Sequence, residues 1–205
     1  MHSTPPPRGS VRPPSPPDAI LTPGLPFTHA ELRAMAIDGV VRRVVGTAYV
    51  PSAHEETAAL RAAALRATLD GAVASKTVVG RLSAAWIYGC SSAPEAPVLL
   101  VPSPRRLSSA KGSGILLHEV ALGDFDVVDL GSVHVTSPLR TAVDVAVHSE
   151  ARFALPVLRR LLARPGLGLT LSLITRALES LPRQPHKRRG RDVLRRLEVG
   201  SAGTA

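Results

Sequence analysis

Aromatic residues make up only 3% of this 205-residue chain, so its core must be packed from Leu, Val and Ala. The apolar fraction, 44%, is ordinary for a globular protein all the same. A single cysteine, Cys90, excludes an intramolecular disulfide and any multi-cysteine zinc site. No apolar run approaches the ~20 residues that a membrane-spanning helix needs. The first residues are rich in Pro and Ser, with no basic patch leading into an apolar stretch, so no secretory signal is recognisable. These absences predict a soluble, cytoplasmic chain with one good core, or one small and one medium domain.

Positive charge is plentiful and unevenly placed. The formal net charge is +9. Seven basic residues fall between Arg183 and Arg196 (Arg183, Lys187, Arg188, Arg189, Arg191, Arg195 and Arg196), against one acid, Asp192, so this segment supplies +6 of that total. Charge concentrated in this way points to a polyanionic or acidic partner beyond simple solubility.

Residues 1–26 hold nine of the 19 prolines and cannot bury enough apolar surface to fold, so a disordered tail is expected there. From Phe27 onward the signals are those of packed structure. Thr28 is placed to cap a helix over 30–37, with Glu31 in its favourable first turn. A hairpin follows over 40–45 and 48–50, turning at Gly46 and Thr47. Residues 56–69 carry helical periodicity, with Leu60, Ala63, Ala64 and Leu65 on the apolar side. Ser83 is a candidate cap for a short helix reaching Tyr88 and ended by Gly89. Strand-like segments occupy 98–101, 115–120, 126–130 and 133–136. Beyond Ser137 the pattern is helical: to about 147, then 150–163 with Pro156 inside it, 170–181 and 185–197. Strands in the middle and helices at the end predict an α+β fold. Residues 198–205 lack apolar periodicity and are expected to be a flexible tail.

The clearest local signal is the junction from Gly131 to Asp144. An alternating strand runs into a helix whose cap is Ser137 and whose first position is Pro138, which has no N–H to leave unbonded. Arg140 and Asp144 then stand at i and i+4, set to form an intradomain ion pair. Trp86, the lone tryptophan, is expected to anchor the core.

On the final helix, Leu194 and Leu197 share a face with Val193 near it. Lys187, Arg188, Arg191 and Arg195 recur at spacings of three and four and make a second, outward stripe. Five or six such cations could neutralise closely spaced DNA phosphates, with affinity that falls as salt rises. A solvated charged face and an acidic protein partner fit the same residues. Nothing aromatic is interleaved with the charges, which argues against stacking on single strands. In the hairpin, Arg42 and Arg43 suit the wing of a winged helix, but a complete winged helix-turn-helix needs about three helices ahead of the wing, and one is placed here.

Enzyme signals are slight. Gly112 and Ser113, followed after ten residues by Asp124 and Asp126, fit a loose nucleotidyltransferase pattern in which paired aspartates hold Mg²⁺. In that fold the Gly-Ser opens a helix, whereas a β-like segment follows here. His118 and His134 lie on strands without a third ligand at a fitting interval, so no metal is expected. Cys90 has no evident base beside it.

The order of these features resembles a known family. Phe27–Leu32, the hairpin region Asp38–Pro51, the helix through Arg61–Arg66, Leu82–Gly89, the Gly131–Asp144 junction, Pro185–Arg189 and Leu194–Leu197 together look like the actinobacterial AbiEi-family antitoxins of type IV toxin–antitoxin systems. The likeness covers roughly residues 27–197 and rests on order more than on any single motif. It implies a reduced winged-helix-like module over 27–52 and an antitoxin domain over 53–197. It also implies two binding roles: neutralising a nucleotidyltransferase toxin, and repressing the shared promoter as a DNA-binding transcriptional regulator. The expected contacts are Lys187, Arg188, Arg189, Arg191 and Arg195, with Arg42 and Arg43 secondary. Trp86, Arg140 and Asp144 would be structural. Longer relatives carry a nuclease domain with a Glu-x-Lys metal site. No Glu-x-Lys occurs in this chain, and no catalytic residue or cofactor is expected.

Overall fold

The computed structural model describes residues 19–101, 114–131, 133–182 and 186–202. The architecture is α+β, with a two-stranded hairpin beside a five-stranded mixed sheet and helices packed against it. The expectation for 1–18 lies outside the described residues. Order begins ahead of the expected Phe27: Ala19 is buried, and Leu21 exchanges two backbone hydrogen bonds with Tyr49, each 2.8 Å. That pairing lends the stretch before Phe27 the ladder bonds and apolar contact that its composition alone does not promise.

Helix α1 (His29–Ile37) is closed by a full capping box, in which the Thr28 hydroxyl accepts from Glu31 N–H and the Glu31 carboxylate accepts from Thr28 N–H. Strands β1 (Val41–Val45) and β2 (Ala48–Pro51) form the expected antiparallel hairpin. Period-two alternation, broken by a register irregularity between Arg43 and Val45, sends its side chains two ways. Val41 and Tyr49 pack with Leu32 of α1, whereas Val44, Val45, Ala48 and Val50 enter the main core. Both faces of the hairpin are therefore covered. Helix α2 (Ala58–Thr68), capped by Thr57, contacts both strands and buries Leu60, Ala62, Ala63, Ala64 and Leu65.

The larger sheet has the order β5 (Leu116–Glu119), β4 (Val98–Val101), β3 (Val78–Val79), β7 (His134–Thr136) and β6 (Val127–Asp129). Strand β3 is parallel to β7 and antiparallel to β4, while β4 and β5 run parallel. Two residues long, β3 carries too short a pattern to be read from sequence, as does the one-turn helix α3 (Gly71–Ala74) before it.

Helix α4 (Arg81–Ile87) departs from expectation. Its cap position is Gly80, not Ser83, and the Ser83 hydroxyl instead accepts from Val98 N–H at 2.9 Å, tying α4 to β4. Gly80 is required there, because a Cβ would sit 2.5 Å from the fully buried Leu100. Trp86 is buried in the main core, as expected.

Helix α5 (Pro138–His148) starts where the sequence places it, with Ser137 as cap and Pro138 in the first turn. It is buried on all sides from Arg140 to Val147, with α4, α6 (Ala151–Ala163), α7 (Leu171–Ser180), α8 (Lys187–Ala202) and β7 around it. The Thr136 carbonyl locks the junction by accepting from Tyr88 Oη at 2.7 Å and Thr141 Oγ1 at 3.0 Å. Helix α6 continues through Pro156; the carbonyl left without its helical partner is that of Arg152, an exposed residue. Helix α8 continues to Ala202, past the tail expected from 198, because Glu198 and Val199 prolong the helix and Gly200 weakens it without breaking it. Gly190 lets α8 approach closely: a Cβ there would lie 3.1 Å from Val147 and 3.2 Å from Leu178.

Candidate nucleic-acid interface

Helix α8 lies on α5, α6 and α7 and buries Gly190, Val193, Leu194 and Leu197. At 100° per residue the cations on the remaining circumference cannot all point the same way. The sequence stripe splits accordingly. Lys187 is turned back onto α7, where its Nζ donates to the carbonyls of Glu179 at 2.8 Å and Leu181 at 2.7 Å. Those are terminal carbonyls without helical partners, and a lysine satisfies them while complementing the helix dipole. With its side chain 14% exposed, Lys187 is a clamp between helices and not the outward contact that its spacing implied.

Arg191 shares that role. Its Nε and Nη2 each reach a Glu179 oxygen at 2.6 Å, a two-pronged pair that holds the Glu179 carboxyl below its ordinary value. Four arginines remain on the open side of α8: Arg188, Arg189, Arg195 and Arg196. Arg195 lies 3.4 Å from Asp192, in the same helix and largely exposed. Arg188, Arg189 and Arg196 line a shallow depression with His186, Asp192 and Ala151, between α8 and the start of α6.

The hairpin arginines part company in the same way. Arg42 donates to Glu56 at 2.8 Å and to the His54 carbonyl at 3.0 Å, which ties it to the segment leading into α2. Arg43 is exposed. A single helix, α1, precedes the hairpin among the described residues.

The second charged centre surrounds α5. Arg140, 9% exposed, donates from Nε to Asp144 at 2.9 Å and from Nη1 to Asp126 at 2.8 Å. The i,i+4 pair is as expected; Asp126, from the 3₁₀ turn at 124–126, is the partner that sequence spacing missed. That Asp126 carboxylate also accepts from Gly123 N–H. The two aspartates of the nucleotidyltransferase-like pattern thus differ, Asp126 being engaged by Arg140 and Asp124 exposed. Gly112 and Ser113 lie outside the described residues.

Around this pair stand groups that no motif announced. Arg81 adopts a left-handed backbone, φ 55°, and its Nε is buried without a hydrogen-bond partner, as is Asp144 Oδ2. Burial raises the Asp144 carboxyl above its ordinary value, against the pull of Arg140 and Arg81. His148 is pushed down to about 4, first by burial and then by Arg81, His186, His118 and Arg140. His118 and His134 do fall in one cross-strand row through Leu100 and Val78, but two strands separate them. Among the described residues no group of three His, Cys, Asp or Glu side chains is set to hold a metal ion. Nor is any helix there long and apolar enough to cross a membrane.

No protein-family model matches this chain, and no curated protein does. Of two solved chains that match, one is the RV2827C protein from Mycobacterium tuberculosis. It aligns with 80% of this chain and 68% of its own length, at 16% identity and a TM-score of 0.35. A likeness of that size carries no argument about function.

Proposed function

We propose that this chain is a cytoplasmic AbiEi-like antitoxin that binds duplex DNA through the open side of α8, represses transcription from its own promoter and neutralises a nucleotidyltransferase toxin. The observation that carries the DNA reading is the row of Arg188, Arg189, Arg195 and Arg196 on one accessible helix face, with Asp192 as the acid among them. Phosphate neutralisation by such a row needs no aromatic residue and no catalytic group. The antitoxin role and the toxin partner rest on the family resemblance of the sequence.

The test is fluorescence anisotropy of the full chain on DNA from upstream of its gene and on a scrambled duplex, across a salt series. A variant with Arg188, Arg189, Arg195 and Arg196 changed to Gln is measured beside it. Tighter binding to the upstream duplex is expected. The slope of log affinity against log salt should flatten in the variant by about 0.9 for each phosphate that is no longer neutralised. Equal, weak binding to both duplexes, unchanged in the variant, would overturn the DNA reading and turn the search to an acidic protein surface.

A further inference from the structure

The C-terminal end of α4 closes in a turn that the DNA-binding reading does not use. Gly89 is left-handed, φ 78°; its N–H donates to the Trp86 carbonyl and that of Cys90 to Ala85, each at 2.8 Å, the Schellman pattern. Two guanidinium groups close over this turn, Arg61 from α2 and Arg164 just after α6, while Arg160 near the end of α6 lines the adjoining groove with Ser91 and Ser92. A Cβ on Gly89 would lie 2.8 Å from Arg61 Nη1 and 3.0 Å from Arg164 Nη1, so two charged donors from distant parts of the chain hover over one spot. All three arginines act on the buried Cys90 thiol beneath, opposing the rise that burial gives it.

Like charges converging on one point repel, and the protein neutralises them only in part. Glu56 accepts from Arg61 Nε at 2.7 Å, but its other oxygen is committed to Arg42. Among the described residues no carboxylate lies within ion-pair distance of Arg160 or Arg164. Arg61 Nη1 is buried without a hydrogen-bond partner, an arrangement folded proteins rarely leave unfilled. The end of α4 attracts cations through its dipole, yet the carbonyls of Ala85 and Trp86 are already taken by the turn itself.

We propose that Arg61, Arg160 and Arg164 form a phosphate-binding site over the Gly89–Ser91 turn, separate from the open side of α8. A tetrahedral anion suits several converging guanidinium donors better than any single carboxylate does. Beside it, Arg160, Ser91 and Ser92 belong to an open groove of about 750 Å³ that continues along Phe153, Pro156 and Leu116. That groove gives room and an apolar wall for the organic part of a phosphorylated ligand. Glu95, also on the groove, lies on its exposed rim. The phosphate can come from a small phosphate monoester or from a nucleic-acid strand.

Inorganic phosphate is titrated into the full chain at constant ionic strength, with chloride as the balancing ion, while thermal unfolding is followed. A saturable rise in midpoint of roughly 3–6 °C is expected. Arg160→Gln and Arg164→Gln should each abolish it, and Arg164→Lys, which keeps the charge but loses the fork, should weaken phosphate binding about tenfold. The α8 quadruple Gln variant should keep the rise while losing duplex binding, so the two proposals fail separately. A rise that survives in Arg160→Gln and Arg164→Gln, or that vanishes in the α8 variant instead, overturns the site, as does no rise at all. Because Arg164 is exposed, its loss is not expected to unfold the chain. Adenosine monophosphate and a scrambled duplex, each competed against inorganic phosphate on the α8 quadruple Gln variant, assign the source: the ligand that displaces it at the lower concentration is the class the groove admits.

Discussion

Removing Arg140 should cost far more than neutralising Asp144, although the two are ion-pair partners. Arg140→Met leaves the Asp144 carboxylate, 6% exposed, without its ion-pair partner and the hydrogen bond to Oδ1, with only the more distant charge of Arg81 to offset it, while Oδ2 is already unpartnered. An uncompensated buried charge of this kind costs about 3–5 kcal/mol. Asp144→Asn behaves differently. The amide oxygen still accepts from Arg140 Nε, and Arg140 keeps Asp126 at 2.8 Å and the Ala121 carbonyl at 3.4 Å. Burial already disfavours the ionised Asp144, so a neutral isostere should cost under about 1.5 kcal/mol. For a chain of this size each kcal/mol moves the thermal midpoint by about 2–4 °C, which separates a fall of ~6–20 °C from one under ~6 °C. The raised Asp144 value fixes the sign with pH: its contribution is full below the ordinary carboxylate range and is lost as pH rises through the raised folded value. Without Arg140 that value rises further, so the deficit of Arg140→Met should shrink on acidification. Urea unfolding followed by circular dichroism at pH 7 and pH 5 measures both effects. Asp144→Asn proving as damaging as Arg140→Met at pH 7 would refute the reasoning.

Other consequences follow from the packing. Lys187→Gln should lower the urea midpoint by freeing the terminal α7 carbonyls, yet leave the salt slope of duplex binding unchanged; a flattened slope would return Lys187 to the DNA face. His148, depressed to about 4, stays neutral in the folded chain where the unfolded histidine, near 6.5, takes a proton; stability should therefore fall between pH 6.5 and 4, and His148→Gln should flatten that profile in urea unfolding. Gly190→Ala gains up to ~1 kcal/mol of helix propensity but presses on Val147 and Leu178, so it should be within about 1 kcal/mol of the parent, whereas Gly190→Leu should lose about 1–3 kcal/mol or more by thermal unfolding.

What the sequence disclosed was local, and what it hid was tertiary. The start of α5 at Ser137 and Pro138, the Arg140–Asp144 pair and the hairpin all depend on neighbours within a few residues, where periodicity and turn chemistry act. Ser83 misled because a serine three residues into a helix can serve a strand as readily as an N-terminus, and Val98 N–H claims it. Arg81 gave no signal at all: nothing in its neighbours announces a left-handed, partly buried arginine whose charge bears on Asp144. Asp126 reaches Arg140 across fourteen residues, a contact set by the sheet edge and not by any helical spacing.

The basic helix shows most clearly why a charge count overstates an interface. Helical spacing groups Lys187, Arg188, Arg191 and Arg195 on one stripe, and on an isolated helix it would be right to do so. Docking α8 beside α7 changes the outcome, because Glu179 and the α7 carbonyls sit on one flank of that stripe and take Lys187 and Arg191. The opposite flank, facing the start of α6, exposes Arg189 and Arg196, which the stripe had separated from its main row. The accessible cations are therefore displaced around the helix toward α6. A polyanion meeting this chain along α8 should run over the Arg188, Arg195, Arg189 and Arg196 side, with Lys187 and Arg191 holding the platform from behind. Charge reversal at Arg196, which lies outside the contacts expected from the sequence, should then weaken duplex binding more than charge reversal at Arg191. The comparison is made by anisotropy at one salt concentration. The opposite ranking would mean that Arg191 releases Glu179 on binding and that the α7 flank, not the α6 flank, is the contact.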